Sequence, residues 1–556
     1  MRHINARLVN RLVICLLVVL LTQASTPLFV SAHFPETPLR SSSVIKMAPP
    51  APNFDDNTRL NELAARRARV GKAIGSNGVL ILFSTLPRVY TNDVDYEYRQ
   101  ENNLYYLTGL NQQGATLVLA PSNEVTPEIL FLRRRSPVTE TWTGRMYSPE
   151  EAHALSGVKE IWEAGEFEPF MRAFKNRQPY RPSADKILLS SLPAAPRRVG
   201  VSNPSSSNHA VAADTSVTSG FEKVFAAADK NDAALYMLVP GNASVEYRQE
   251  QQFAAEWMKS ASGYVVKTAT PIFAEMRLRK SPYELALMQH AIDITIEAHQ
   301  RAWVAAGEAK WEYEVDAQVA FAFKLRNADH WGYPSIVGCG PNATTLHYQE
   351  SQGRVTPGEL LLMDVGAEYD HYSADVTRTF PVNGKFSPAQ AEIYQIVYDA
   401  QEAAAKASRP GAFISDVDRA ATEVIKDGLL KLGLITDRSS NQYRIWFMHG
   451  TSHWLGMNVH DVGNYGTRLK PGMVFTNEPG IYVRPDALDN LPKTVEHEKF
   501  IAAVRPAFEK YKSIGVRIED DMLVTADGVK WMTAALPRKM SEIEDFIARG
   551  RREATR

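Results

Sequence analysis

The chain has 556 residues, 44% of them hydrophobic and 22% charged, with a formal net charge of −1. That length exceeds one ordinary domain and calls for two or three, with apolar residues enough for large packed cores. The near-neutral balance gives no electrostatic reason for a nucleic acid or an anionic membrane surface as partner.

The first 32 residues stand apart. Arg2, Arg7 and Arg11 precede the apolar run Leu12–Leu21, and Val30-Ser31-Ala32 supplies small residues for cleavage, with Ala24 as a second position. This is the layout of an export signal over residues 1–32, directing the protein to a periplasm or a secretory route. An apolar run this short falls below the about 20 residues that span a bilayer, so no stable membrane insertion is expected. Removal of the segment takes away three Arg and no acid, leaving −4. Cys15 leaves with it, so only Cys339 remains and no internal disulfide can form. An exported chain of this kind relies on its core, on metals or on oligomerisation.

Residues 33–57, rich in Pro and Ser, read as a flexible arm. An N-terminal α/β domain is expected over 58–270. It opens with a helical pattern from Leu60 to Ala73 and continues with buried strands at Gly78–Phe83, Thr116–Leu119 and Glu128–Leu132. Pro193–Ser219, dense in Ser, Pro, Asn and Ala, reads as a surface insertion. A second domain is expected over 271–548. Ser281-Pro282-Tyr283-Glu284 has the N-cap, first-turn proline and third-position acid of a capping box, and Leu285, Met288, Ala291, Ile292 and Thr295 follow at helical spacing. Helices are expected at Pro388–Ala407, Ile414–Leu432 and Ser541–Ala548, with strand-like segments between the first two and the last, then a frayed basic tail over 549–556.

The chemistry lies in the second domain. Asp364 ends the apolar run Leu360–Met363, and Asp375 sits eleven residues on, in Ser373–Phe380. A turn around Glu368–Tyr372 would return the chain and bring the two carboxylates together, where they repel unless a cation lies between them. The bland alternative is one aspartate salt-bridged to Arg378 and another capping a turn. His449, His453 and His460 fall within twelve positions, among glycines and apolar residues, and such clustering favours a shared site. Glu478 precedes Pro479-Gly480, and Arg517 and Glu519 fall on one face of an alternating strand. Four carboxylates with one imidazole form a hard donor set suited to ions such as Mn²⁺. Their charge of about −4 is balanced by two divalent cations and not by one.

These segments resemble the aminopeptidase P branch of the pita-bread metallopeptidases, which is related to prolidases and methionine aminopeptidases. The resemblance runs through Ser335–Gly340, His347, Asp364–Lys385, Phe447–Gly463, Asn477–Tyr482 and Gly515–Asp521, and in the first domain through Asp93–Gly109. It implies a fold of α/β (α+β) class, an N-terminal α/β domain followed by a pita-bread catalytic domain. It implies metal ligation by Asp364, Asp375, His453, Glu478 and Glu519, with Asp375 and Glu519 bridging. His347, His449 and His460 would orient substrate and move protons, and Glu478 would also handle the nucleophile's proton. Arg517 and Tyr482 would line a proline pocket, and Trp142 resembles an aromatic lent to a neighbouring subunit in tetrameric members. The implied cofactors are two divalent ions, Mn²⁺ first with Zn²⁺ or Co²⁺ as alternatives. The implied partners are peptides with proline second and further copies of the chain, as dimer or tetramer. The implied reaction is release of the residue before that proline. Prolidase activity on Xaa-Pro dipeptides and a non-catalytic peptide-binding role are the alternatives. Asn477 departs from the family, whose members often carry Val there.

Overall fold

Residues 44–178, 180–192, 220–242 and 244–554 are described by the computed structural model of the chain. The expected leader, the first part of the arm and the insertion over 193–219 lie outside them. From Val44 onward the chain forms one compact unit. No helix among the described residues is long and apolar enough to cross a membrane.

Seven strands make the first sheet: β1 (Gly78–Phe83), β2 (Thr116–Leu119), β3 (Glu128–Leu132), β4 (Ile161–Glu163), β5 (Ile187–Leu189), β6 (Ala233–Met237) and β7 (Tyr264–Thr268), in the spatial order β5-β4-β3-β2-β1-β6-β7. The sheet is mixed, with β1 antiparallel to β2 and parallel to β6. All six residues of β1 are buried, because both faces of the sheet are covered. Val79, Ile81 and Phe83 point into a cluster with Phe131, Trp162 and Phe170, whereas Leu80 and Leu82 point the other way, toward Val70 and Leu104. The period of two in a strand thus feeds two cores at once.

Helix α1 (Asp56–Ile74) begins earlier than its apolar pattern suggests, because Asp55 accepts the Thr58 N–H at 2.6 Å and caps it. The arm ahead of it is docked from Val44 on. Lys46 and Ala48 donate backbone N–H groups to Gln300 (2.6 Å) and Glu297 (2.7 Å), and Phe54 packs on Tyr283 with ring centroids 4.2 Å apart. Composition marked this stretch as unstructured, but its partners lie some 250 residues away, where local pattern cannot reveal them.

The second half is built on α2 (Pro282–Ala305), which starts at the expected capping box, and on α3 (Pro388–Ala407) and α4 (Ile414–Leu432). The strands that carry its site are β8 (Ile336–Cys339), β9 (Leu360–Val365), β10 (Val376–Pro381), β11 (Val474–Asn477), β12 (Gly480–Tyr482), β13 (Gly515–Arg517) and β14 (Asp520–Val524). β9 lies between β8 and β10, β11 pairs with β14, and β12 pairs with β13, all antiparallel. The last helix runs from Met540 to Ala554 and takes in most of the tail expected to fray. Ile543, Phe546, Ile547 and Gly550 are buried on one face, and Arg551 donates to the Val382 carbonyl at 2.8 Å, so packing extends a helix whose sequence turns basic.

Candidate metal centre

Three short ladders carry the acidic groups to one place. β9 and β10 pair so that Asp364 lies opposite Thr377, and Asp375 immediately precedes β10. Between them the chain reverses at Asp370-His371, both with positive φ (50° and 66°), a tight two-residue hairpin between Tyr369 and Tyr372. Gly366 permits the crossing, since a Cβ there would stand 1.9 Å from the Ala374 carbonyl oxygen. Glu478 follows β11, and Glu519 sits in the break between β13 and β14. The alternating segment Val516–Asp521 is not an exposed sheet edge: Arg517, Glu519, Asp520 and Asp521 are all buried.

Asp375, His453 and Glu519 each present a ligand atom within 4.8 Å of the others. His453 Nε2 lies 3.2 Å from Asp375 and 3.3 Å from Glu478. Asp364 joins through Tyr333, whose hydroxyl contacts both Asp364 and Asp375, at 2.6 Å from the latter. Arg517 pairs with Asp364 and donates to Tyr482 Oη (2.8 Å) and to Thr377 Oγ1 (3.0 Å), and Thr377 donates onward to Glu519 at 2.6 Å. Arg378 is not the partner of either aspartate. It lies 2.6 Å from Asp520, so the bland reading of the pair does not describe this protein.

The cluster concentrates buried acids. Burial, reinforced by neighbouring carboxylates, pushes Glu519 well above the usual carboxylate range, raises Asp375 and lifts Glu478 to about 7. Burial opposes a charge on His453 too, yet the hydrogen bond with Asp375 and the charges of Glu478 and Asp375 outweigh it and hold the imidazole at about 9. Acids crowded together out of water resist ionising unless cations compensate them. The donor set of four carboxylates and one imidazole is that of hard divalent ions. The residues therefore fit a pair of such ions.

A cavity of ≈ 430 Å³ opens beside the carboxylates, lined by Tyr333, His347, His449, His453, His460 and Arg517 among others. The histidines differ within it. His449 is engaged at both ring nitrogens, Nδ1 with the Gly450 carbonyl and Nε2 with Tyr482 Oη, each at 2.8 Å. The carbonyl accepts, so Nδ1 carries the proton and Nε2 accepts from Tyr482, whose oxygen in turn accepts from Arg517. Burial, with Arg517 nearby, holds His449 down at about 3, so it is neutral. No described residue hydrogen-bonds to the rings of His347 or His460, which face the cavity free to meet a ligand. Trp142 is 84% exposed on the short helix Pro137–Thr143, away from this chain's own cavity.

Sequence reasoning passed over Tyr333, Thr377 and Asp521. Tyr333 lies in a Gly/Pro-flanked loop and gives no periodic signal. Thr377 was legible, being two residues from Asp375 on the same face of β10. Asp521 accepts the Asp375 N–H at 3.2 Å, a second buried acid behind the first.

A sequence model of the aminopeptidase P N-terminal domain matches residues 63–180, and one of metallopeptidase family M24 matches residues 286–526. The chain is 34% identical to the Xaa-Pro aminopeptidase of Haemophilus influenzae, over 87% of this chain and 97% of that protein. It is 33% identical to the Xaa-Pro aminopeptidase of Escherichia coli, over 88% and 98% respectively. Among solved structures, zinc-substituted Escherichia coli aminopeptidase P in complex with product matches with a TM-score of 0.69 at 30% identity, covering 90% of this chain and 100% of that one. Pseudomonas aeruginosa aminopeptidase PepP matches with a TM-score of 0.70 at 27% identity, covering 90% and 99%. With the carboxylate cluster, the two-domain architecture and full-length relatives in accord, the chain belongs to the aminopeptidase P branch of metallopeptidase family M24, with its pita-bread catalytic domain.

Proposed function

We propose that this protein is an Xaa-Pro aminopeptidase, a metal-dependent hydrolase that releases the first residue of peptides with proline second. The observation that carries the reading is the convergence of Asp375, His453 and Glu519, with Glu478 and Asp364 joined to them, at the wall of a histidine-lined cavity. Asp364, Asp375, His453, Glu478 and Glu519 would hold two divalent ions, Mn²⁺ in our reading, with Zn²⁺ or Co²⁺ able to substitute. When bound, such ions supply an activated water and polarise the scissile carbonyl.

The chain's own residues do the rest. Glu478 lines the cavity 3.3 Å from His453 and is placed to accept and return a proton there. His347 and His460, whose rings have no hydrogen-bond partner among the described residues, line the cavity and would face the substrate. The leaving proline nitrogen has no hydrogen of its own and needs a proton to depart, and these imidazoles are placed to supply one. Arg517 and His449 line the cavity, and the Tyr482 hydroxyl, wholly buried behind them, bonds to both, so Tyr482 braces the wall against which the proline ring would sit and is not itself part of the cavity's lining.

The same reading takes the chain as exported by residues 1–32, as two domains meeting near residue 270, and as an oligomer in which Trp142 reaches a neighbour's cavity. Its exposure of 84% is what such a role needs. A prolidase would share the metal site but would be confined to dipeptides. Incubating the metal-loaded protein with an Xaa-Pro dipeptide and with Xaa-Pro-Yaa separates the two. Efficient cleavage of the tripeptide supports the aminopeptidase, and cleavage of the dipeptide alone rejects it.

A further inference from the structure

The first-domain segment Asp93–Gly109 carries family resemblance but touches no acidic ligand. The structure shows where it goes. Arg99 pairs with Glu368 through Nε alone, which stands 2.8 and 3.1 Å from the two carboxylate oxygens. Its Nη1 donates to Asn102 Oδ1 at 2.9 Å and its Nη2 to the Met457 carbonyl at 2.8 Å. Asn102 then donates from Nδ2 to Asn458 Oδ1 at 2.8 Å. Met457 and Asn458 form the apex of the loop that begins at His453 and ends at His460. The base of that loop is closed within the catalytic domain, by Asp461 N–H to the Trp454 carbonyl at 2.9 Å and by Ser373 N–H to the Gly456 carbonyl at 2.9 Å.

His460 has no hydrogen-bond partner among the described residues; its ring meets His453 edge-to-face at 4.4 Å, at the other end of the same loop, so the course of this loop sets where its ring stands. We infer that Arg99 and Asn102 are positioning residues that latch the first domain onto the loop apex and thereby hold His460 in its catalytic place. The inference rests on the functional reading above, in which His460 meets substrate. A planar guanidinium suits the task, because one rigid fork must satisfy a carboxylate, an amide and a carbonyl in three directions. A lysine could keep the charge pairing with Glu368 but could not span all three. A mere glue between domains would need only that ion pair.

The test uses the full chain loaded with Mn²⁺ and an Xaa-Pro-Yaa peptide. Arg99→Ala and Arg99→Lys should each lower kcat by about 30-fold or more, with KM within about threefold and bound metal unchanged, the scale expected when a reacting group is displaced by about 1 Å. In a His460→Ala background the Arg99→Ala change should lower kcat by no more than about threefold, since the group being positioned is gone. Arg99 is 36% exposed beside a cavity of ≈ 1030 Å³, so millimolar ethylguanidinium should restore part of the activity of Arg99→Ala. Independently of activity, hydrogen–deuterium exchange in Arg99→Lys should quicken over residues 456–461 and stay unchanged over Val474–Asn477. Wild-type kcat in Arg99→Lys, equal losses in the two backgrounds, or unaltered exchange at 456–461 would each overturn the latch. A wild-type protein that leaves the peptide intact would instead overturn the functional reading, and the exchange measurement would still decide the latch.

Discussion

Arg378 and Asp520 face each other at 2.6 Å with both side chains wholly buried. The guanidinium also donates to the carbonyls of Thr377 (2.9 Å), Glu519 (2.6 Å), Pro537 (2.9 Å) and Leu536 (3.2 Å). It is thereby fully engaged, which leaves Asp364 and Asp375 without its charge. Removing one partner of a buried pair strands the other and costs about 3–5 kcal/mol. Arg378→Ala is expected to lose that much in urea unfolding of the metal-loaded protein. An Arg378→Met, Asp520→Leu double replacement should lose clearly less than Arg378→Ala. Equal stability of Arg378→Ala and wild type would show that the pair has been misjudged.

Asn477, next to Glu478, is wholly buried. Its Nδ2 donates to the Gln401 carbonyl at 2.9 Å, but its Oδ1 is buried with no partner among the described residues. Loss of one hydrogen bond costs about 1 kcal/mol, and removing a buried unsatisfied acceptor returns about 1–3 kcal/mol. Asn477→Val is therefore expected to be neutral or stabilising by about 1 kcal/mol in chemical denaturation. A loss above about 2 kcal/mol would mean that Oδ1 has a partner after all.

Glu250, away from the metal centre, offers a pH test. Burial, with Glu101 and Glu246 adding to it, lifts its carboxyl to about 7 against an ordinary 4.5. The folded state holds that proton more tightly than the unfolded one, so the stabilising contribution is present below about 4.5 and is lost as pH rises through about 7. Glu250→Gln should raise the thermal midpoint at pH 8 relative to wild type and change it little at pH 4.5. A mutant effect independent of pH would contradict the shift.

Metal loading should be a proton-linked event. Glu478 stands at about 7, Glu519 and Asp375 are raised, and His453 is held at about 9, so part of this set carries protons at pH 7 that incoming cations must displace. Calorimetric titration with Mn²⁺ in buffers of different ionisation enthalpy is expected to show net proton release at pH 7. Affinity should rise with pH, and chelation should lower the thermal midpoint. Zero proton release would mean that the ligands are already ionised without metal.

Much of this was legible beforehand, for physical reasons. Strands such as Gly78–Phe83 announce themselves because six apolar residues in a row can only be covered on both faces. Helices such as Pro388–Ala407 carry their own caps, here Ser387 with Gln390. The acid and histidine positions stood out because charged groups inside apolar runs demand compensation. What escaped depends on distant contacts. The arm from Val44 is ordered by Gln300 and Glu297, the basic end of the last helix is packed against Val304 and Val382, and Tyr333 reaches two aspartates from a loop. The partner of Arg378 was also out of reach, because a sequence shows that a charge must be paired without showing by which acid.

A metal-dependent enzyme built on these residues should require proline in the second position. The most direct measurement compares the Mn²⁺-loaded protein and its Glu478→Gln variant on two peptides differing only in the second residue, Xaa-Pro-Yaa and Xaa-Ala-Yaa. Release of the first residue is expected from the proline peptide, little from the alanine peptide, and a loss of about 10³-fold or more in kcat for Glu478→Gln, the scale of removing a catalytic acid–base group. Cleavage of the alanine peptide with the proline peptide left intact, or full activity in the variant, would contradict it.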